Sequence, residues 1–141
     1  MNQLVKILLI DDDSSFPEIF EDQLRRAEPD LNFTVDAVQK IDQHTSFDHD
    51  VYIVDHILFN RPVSVDIIEA IRQDHPEAVI YVLSGQGDFD LLKQLSKLGI
   101  AGFIDKNDED LSDVAGRIKH ISAIKDKLRC LSMKFADAGV A

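Results

Sequence analysis

The sequence predicts a doubly wound α/β fold, a five-stranded parallel sheet with helices on both faces. Three observations lead there. Short apolar runs rich in branched residues, such as Val5–Ile10 and residues 51–54, recur along the chain and suit strands buried on both faces. Between them, apolar residues repeat every three or four positions, so strand and helix alternate five times. The runs end in polar side chains, at the carboxyl edge where open α/β sheets place their sites.

Each element has its own signal. VKILLI (Val5–Ile10) is the first strand and stops at Asp11, Asp12 and Asp13. Ser14, Ser15, Pro17 and Glu18 open a helix over Phe16–Ala27, whose apolar side chains follow a 3.6-residue period until Pro29. Residues 32–37 alternate weakly through Phe33, Val35 and Ala37, an edge-strand pattern. Residues 38–49 must then return the chain to a parallel neighbour. A crossover takes about a dozen residues, so a short second helix is expected there.

Residues 51–54 form the third strand, running directly into Asp55. A loop, HILFNRPVS, leads to a helix marked by Val65, Ile67, Ile68 and Ile71 and ended before Pro76. Residues 78–83 form a fourth strand stopping at Ser84, and Phe89, Leu92, Leu95 and Leu98 a fourth helix with Gly99 at its C-cap. Residues 100–104 form the fifth strand, ending at Asp105 and Lys106. From Leu111, the residues Val114, Ile118, Ile121, Ile124, Leu128, Leu131 and Phe135 recur at spacings of three and four, the mark of one long final helix.

Composition narrows the function. With 141 residues and 45% hydrophobic content the chain suits one domain with a real core, and no separate effector domain. A formal charge of -11 opposes binding to a phosphate backbone, so nucleic acid is not an expected partner. The lone Cys130 cannot form an internal disulfide, and the apolar start is too short for a signal peptide or membrane span. A soluble, cytoplasmic protein is expected. The five histidines show no metal-binding spacing and read as surface or loop residues, with His56 at the mouth of the site.

The strand ends gather Asp11, Asp12, Asp55, Ser84 and Lys106 on one edge. Three carboxylates brought together repel and hold protons more tightly unless a cation neutralises them. Oxygen-only ligands suit Mg²⁺, and a metal, a hydroxyl and an ammonium around one carboxylate suit transfer of a phosphoryl group onto Asp55. Asp13 reads as a solvated charge at the helix start.

In order, VKILLIDDD, VDHIL, VLSGQ and GFIDK make the chain resemble a response regulator receiver domain of two-component signalling, over nearly its whole length. The resemblance implies a flavodoxin-like sheet of order 2-1-3-4-5, with residues 1–123 as the receiver and 124–141 as an extension of the last helix and a tail. It implies that Asp55 accepts phosphate from a histidine kinase or phosphotransfer protein, that Asp12 ligates Mg²⁺, and that Asp11 acts through metal-bound water. The backbone carbonyl of Ile57 would complete the protein ligands. Ser84 would bond a phosphoryl oxygen, Lys106 would pair with its charge, Phe103 would swing inward with Ser84, and Gly85 would leave room for the group. Ile57 and Gln86 stand where the family tunes the lifetime of the modified state. Such a domain is a switch rather than an enzyme.

The chain also departs from the family pattern. Phe59 stands where a proline is usual, the loop before the third helix is about one residue longer with its glycine replaced near Ser64, and Asn107 replaces the proline after the lysine. One alternative is a degenerate receiver that binds proteins without phosphorylation, although the acids and the lysine are all retained. Another is a haloacid-dehalogenase-like phosphatase, since Asp11, Asp13 and Ser15 fit DxDx[ST]; that enzyme needs a further acid-bearing strand after Lys106. The apolar stripe of the last helix is expected to outrun the sheet and to offer a homodimer seam or a signalling helix.

Overall fold

The computed structural model describes residues 3–58, 61–62, 64–84, 89–107 and 110–137. In chain order these form β1 (Val5–Ile10), α1 (Phe16–Ala27), β2 (Phe33–Val38), β3 (Val51–Asp55), β4 (Ile57–Leu58), β5 (Arg61–Pro62), α2 (Ser64–Asp74), β6 (Val79–Ser84), α3 (Phe89–Ser96), β7 (Gly102–Asp105) and α4 (Ser112–Asp137). The main sheet runs β2-β1-β3-β6-β7 with every pair parallel. With the β4–β5 hairpin set aside, this is the expected order 2-1-3-4-5. The hairpin itself lies in the segment that the sequence reads as a loop.

Strand alternation divides the apolar residues between two cores. Val5, Ile7 and Leu9 of β1, Val51 and Ile53 of β3, and Tyr81 and Leu83 of β6 meet α1 and α4 through Phe20, Leu24, Val114 and Ile118. Their neighbours Leu8, Ile10, Tyr52, Val54, Ile80 and Val82 face the other way, onto Ile67, Ile68 and Ile71 of α2 and Leu95 of α3. The sheet is therefore dry on both sides, which is why β1 and β3 read as unbroken apolar runs. Gly99 follows α3 with a φ of 71°, a left-handed conformation that suits glycine.

The expected short helix between β2 and β3 does not form. Residues 39–50 instead make a turn and an extended stretch. Asp42 and Thr45 explain it: the Asp42 carboxylate accepts the His44 N–H at 2.8 Å, and the Thr45 hydroxyl accepts the Asp42 N–H at 3.0 Å. These local bonds satisfy backbone groups that a helix would need. Ile41 and Phe47 pack against the α2–α3 core in its place, with the Phe47 ring edge-on to Tyr52 at 6.0 Å between centroids. The His75 ring also hydrogen-bonds the Phe47 carbonyl.

His49 is a loop residue, as the sequence reads it, but not a surface one. Its backbone lies in this crossover, but its side chain is only 7% exposed, set against Tyr52 and 2.8 Å from the Asp36 carboxylate. The α4 helix is tied to the start of β1 and β3: Ser122 donates to the Gln3 carbonyl, and Lys125 donates to the Leu4 carbonyl and to Asp50 Oδ2. Beyond these ties, residues 127–136 are all exposed. No described helix is long and apolar enough to cross a membrane.

If Phe47 takes over the work of the missing helix, Phe47→Ala should cost about 2 kcal/mol of stability. Hydrogen exchange should speed up over 41–49 while α1 stays protected. Unchanged exchange in that segment would show that Phe47 does not hold it.

Candidate functional site

Strand parity carries three charged groups to one place. Asp11 lies two residues beyond Leu9, Asp55 two beyond Ile53, and Lys106 two beyond Ile104; all three preceding residues face the α1–α4 core. Asp11 and Asp55 are 2% and 8% exposed, so both carboxylates are out of bulk water. Lys106 Nζ bridges them, 2.8 Å from Asp11 Oδ2 and 3.0 Å from Asp55 Oδ2. Only the Asp55 oxygen accepts an aligned hydrogen bond from it; Asp11 Oδ2 is buried beside the cation without an aligned donor. Asp12 joins them, and ligand atoms of Asp11, Asp12 and Asp55 all lie within 4.8 Å of one another.

Backbone donors hold the remaining carboxylate oxygens. The Asp13 N–H donates to Asp11 Oδ1 at 3.0 Å, and the Ile57 N–H to Asp55 Oδ1 at 3.2 Å. Burial above all, and then the Asp55 carboxylate, push Asp11 up to about 6, while Lys106 and the Asp13 N–H pull the other way. Burial alone would lower the Lys106 ammonium, but its contacts with Asp11 and Asp55 outweigh this and hold it above the ordinary lysine value. The ammonium also stands 5.3 Å from the centre of the Phe16 ring, a cation–π contact.

The family described as the response regulator receiver domain matches residues 7–116 of the chain. The chain belongs to the response regulator receiver family. Among solved structures, a response regulator from Thermotoga maritima is 23% identical, covering 86% of this chain and 99% of its own, with a TM-score of 0.66. The non-phosphorylated HemR receiver domain from Leptospira biflexa is 21% identical, covering 83% and 93%, at a TM-score of 0.64. The BeF3-activated DrrB receiver domain is 16% identical, covering 84% and 97%, at 0.66. At these identities the likeness is one of fold. A search of curated proteins finds no match.

Receivers are signalling switches of two-component systems, and the acids and lysine predicted from the sequence meet at one edge of this one. Ser84 ends β6 and stands opposite Asp105 in the β6–β7 register. Phe103 is half-buried and packs toward α2 and α3, on the face opposite the Asp11–Asp55–Lys106 group. Ile57 opens β4 and pairs with Pro62, which has no N–H to offer its carbonyl. Gly85, Gln86 and Phe59 lie outside the described residues. Among the described residues the phosphatase arrangement is not built: Asp13 is exposed, its Oδ1 accepts from the N–H and hydroxyl of Ser15, and the long element after β7 is the helix α4.

Two features escaped the sequence reading. His56 does stand beside the site, but its Nδ1 is 2.9 Å from the hydroxyl of Ser64, a fully buried residue at the start of α2. The serine in place of the usual glycine thus fastens the loop after Asp55; the polar residue at a buried helix start was the available signal. The Phe16 contact to Lys106 had no such signal, since Phe16 reads as core and is core.

The raised Asp11 makes a pH prediction. A folded-state value above the unfolded 3.8 means that Asp11 adds stability below about 3.8 and that this is lost as pH rises through about 6. In EDTA, Asp11→Asn should match the native protein at pH 4 and exceed its stability at pH 7.5, on the order of 1–2 kcal/mol. Denaturant melts at both pH values check this, and a variant weaker at pH 7.5 would refute the account of buried repulsion.

Proposed function

We propose that this receiver takes a phosphoryl group onto Asp55 from the phosphohistidine of a sensor kinase or phosphotransfer protein and thereby switches a protein-binding surface. The observation that carries the reading is the cluster itself, three carboxylates within 4.8 Å with an ammonium bridging two of them. Gathering this many ionisable groups at one sheet edge supports a charge-neutralising role there.

The residues fit Mg²⁺. Their donors are all oxygens, the geometry is set by strand ends, and the buried Asp11 Oδ2 has no aligned hydrogen-bond donor. Asp12 and Asp55 would hold the ion directly, Asp11 chiefly through water, with the Ile57 carbonyl beside them. When bound, Mg²⁺ supplies the positive charge that offsets the carboxylates and the equatorial phosphoryl oxygens.

On this reading an Asp55 oxygen attacks phosphorus in line with the departing imidazole nitrogen; the P–O bond forms as the P–N bond breaks. Lys106 exchanges its bridge between carboxylates for a contact with the phosphoryl charge, drawing on an ammonium already held in place by Phe16. The Ser84 hydroxyl donates to a phosphoryl oxygen, and Phe103 follows it inward, changing the surface beside β7. The protein is then a switch consumed one phosphoryl group at a time rather than an enzyme. Residues 1–123 form the receiver and 124–141 an extension, and the setting is the cytoplasm.

Intact mass after incubation with a small-molecule phosphodonor tests the proposal. A labile adduct should form with Mg²⁺, and should be absent with EDTA and in Asp55→Asn. No adduct from folded protein under any condition would leave a receiver that binds partners without phosphorylation.

A further inference from the structure

We propose that the exposed end of α4 is one strand of a heterotypic coiled coil, whose other strand is an acidic-flanked amphipathic helix from another protein. Ile121, Ile124, Leu128, Leu131 and Phe135 follow one another at spacings of three, four, three and four, the a and d positions of a heptad. The last four are among the exposed large apolar residues of the chain, and Ile121 is only partly covered by the domain. Along this seam two positions in seven are apolar, a narrow stripe that fits another helix, while the exposed Met133 falls at f on the far side. A helix lying on a lipid surface carries a broader apolar face.

The flanks state the chemistry of the partner. With Ile121 at a, the e positions are Lys125 and Ser132 and the g positions are His120, Lys127 and Lys134. None is acidic. Asp126 falls at f, on the far side of the helix, where it pairs with Arg129 at 3.2 Å. Lys127 and Lys134 have no ion-pair partner among the described residues. Residues 124–141 carry four basic and two acidic side chains, against 11 basic and 24 acidic in the rest of the chain.

A second copy does not satisfy these flanks. Parallel pairing sets g against e of the other strand, bringing His120 to Lys125 and Lys127 to Ser132. Antiparallel pairing sets g against g, where Lys127 and Lys134 meet their own kind, and e against e, where Lys125 and Ser132 offer no acid. Glutamates at the e and g positions of a different helix would meet Lys127 and Lys134 with opposite charge.

The test uses the full chain and two synthetic helical peptides with Ile at a and Leu at d, one with Glu and one with Lys at all e and g positions. The acidic bulk of the protein by itself favours the Lys peptide, so only local pairing on α4 can favour the Glu peptide. Fluorescence anisotropy should show the Glu peptide binding about tenfold more tightly, with the difference shrinking at high salt. The double variant Lys127→Glu with Lys134→Glu should reverse the preference, and Leu128→Asp should abolish binding of both while leaving the melting curve unchanged. Equal binding of the two peptides, or none, would overturn the proposal. So would a native dimer in sedimentation that resists the Glu peptide and that Leu128→Asp dissolves, or adsorption to phosphatidylserine vesicles without peptide binding.

Discussion

The structure depends on one compensation of charge: the Lys106 ammonium set between the buried carboxylates of Asp11 and Asp55. Two carboxylates out of water at the end of neighbouring central strands would repel each other and lack solvation. The lysine restores part of what is lost, and it arrives from the end of β7, which β3 and β6 separate from β1 in the sheet order. Correct pairing of β1, β3, β6 and β7 is therefore what brings the three groups together. The compensation is incomplete: burial above all, and then the Asp55 carboxylate, still hold the Asp11 proton to about 6 against the pull of Lys106. A site left short of positive charge has residual affinity for a further cation, and receivers typically bind Mg²⁺ at an acidic pocket of this kind.

The same parity that gathers the charges also separates the parts of the site. Asp11, Asp55 and Lys106 continue the residues that face α1 and α4, whereas Phe103 packs toward α2 and α3. Chemistry confined to one side of the sheet edge can thus be felt on the other only through the strand ends themselves. Ser84, last residue of β6 and opposite Asp105, occupies that edge. On the proposed function, its short side chain would be the link between a modified Asp55 and the ring of Phe103.

Much of this was legible in the sequence because it follows from local rules. Continuous branched runs imposed β1 and β3, their alternation fixed which residue faces which core, and a charge ending each run marked the site. What was not legible depends on partners distant in sequence. The crossover after β2 has the length for a short helix, but Asp42 and Thr45 capture backbone groups and Phe47 finds Tyr52 and His75, so an extended path wins. His49 looks like any loop histidine until Asp36 and Tyr52 enclose it. Ser64 looks like a helix cap until His56 turns toward it.

The strand β3 also separates the two ends of the molecule. Asp55 at its carboxyl end belongs to the charged site, while Asp50, just before its start, accepts the Lys6 N–H and the Lys125 ammonium that ties down α4. Five residue steps lie between them, roughly 17 Å of strand. The helix α4 leaves the sheet on the Asp50 side, so its exposed end projects away from the edge that carries Asp55. A phosphodonor approaching Asp55 and a helix docking on Leu128 and Leu131 therefore need not compete for the same surface. Coupling between them would pass through the contacts that fix α4 to the sheet, among them Ser122–Gln3 and Lys125–Asp50, rather than through steric exclusion. Lys125 holds the helix to the sheet by one charged contact and one carbonyl, and beyond it no described residue of the helix is buried.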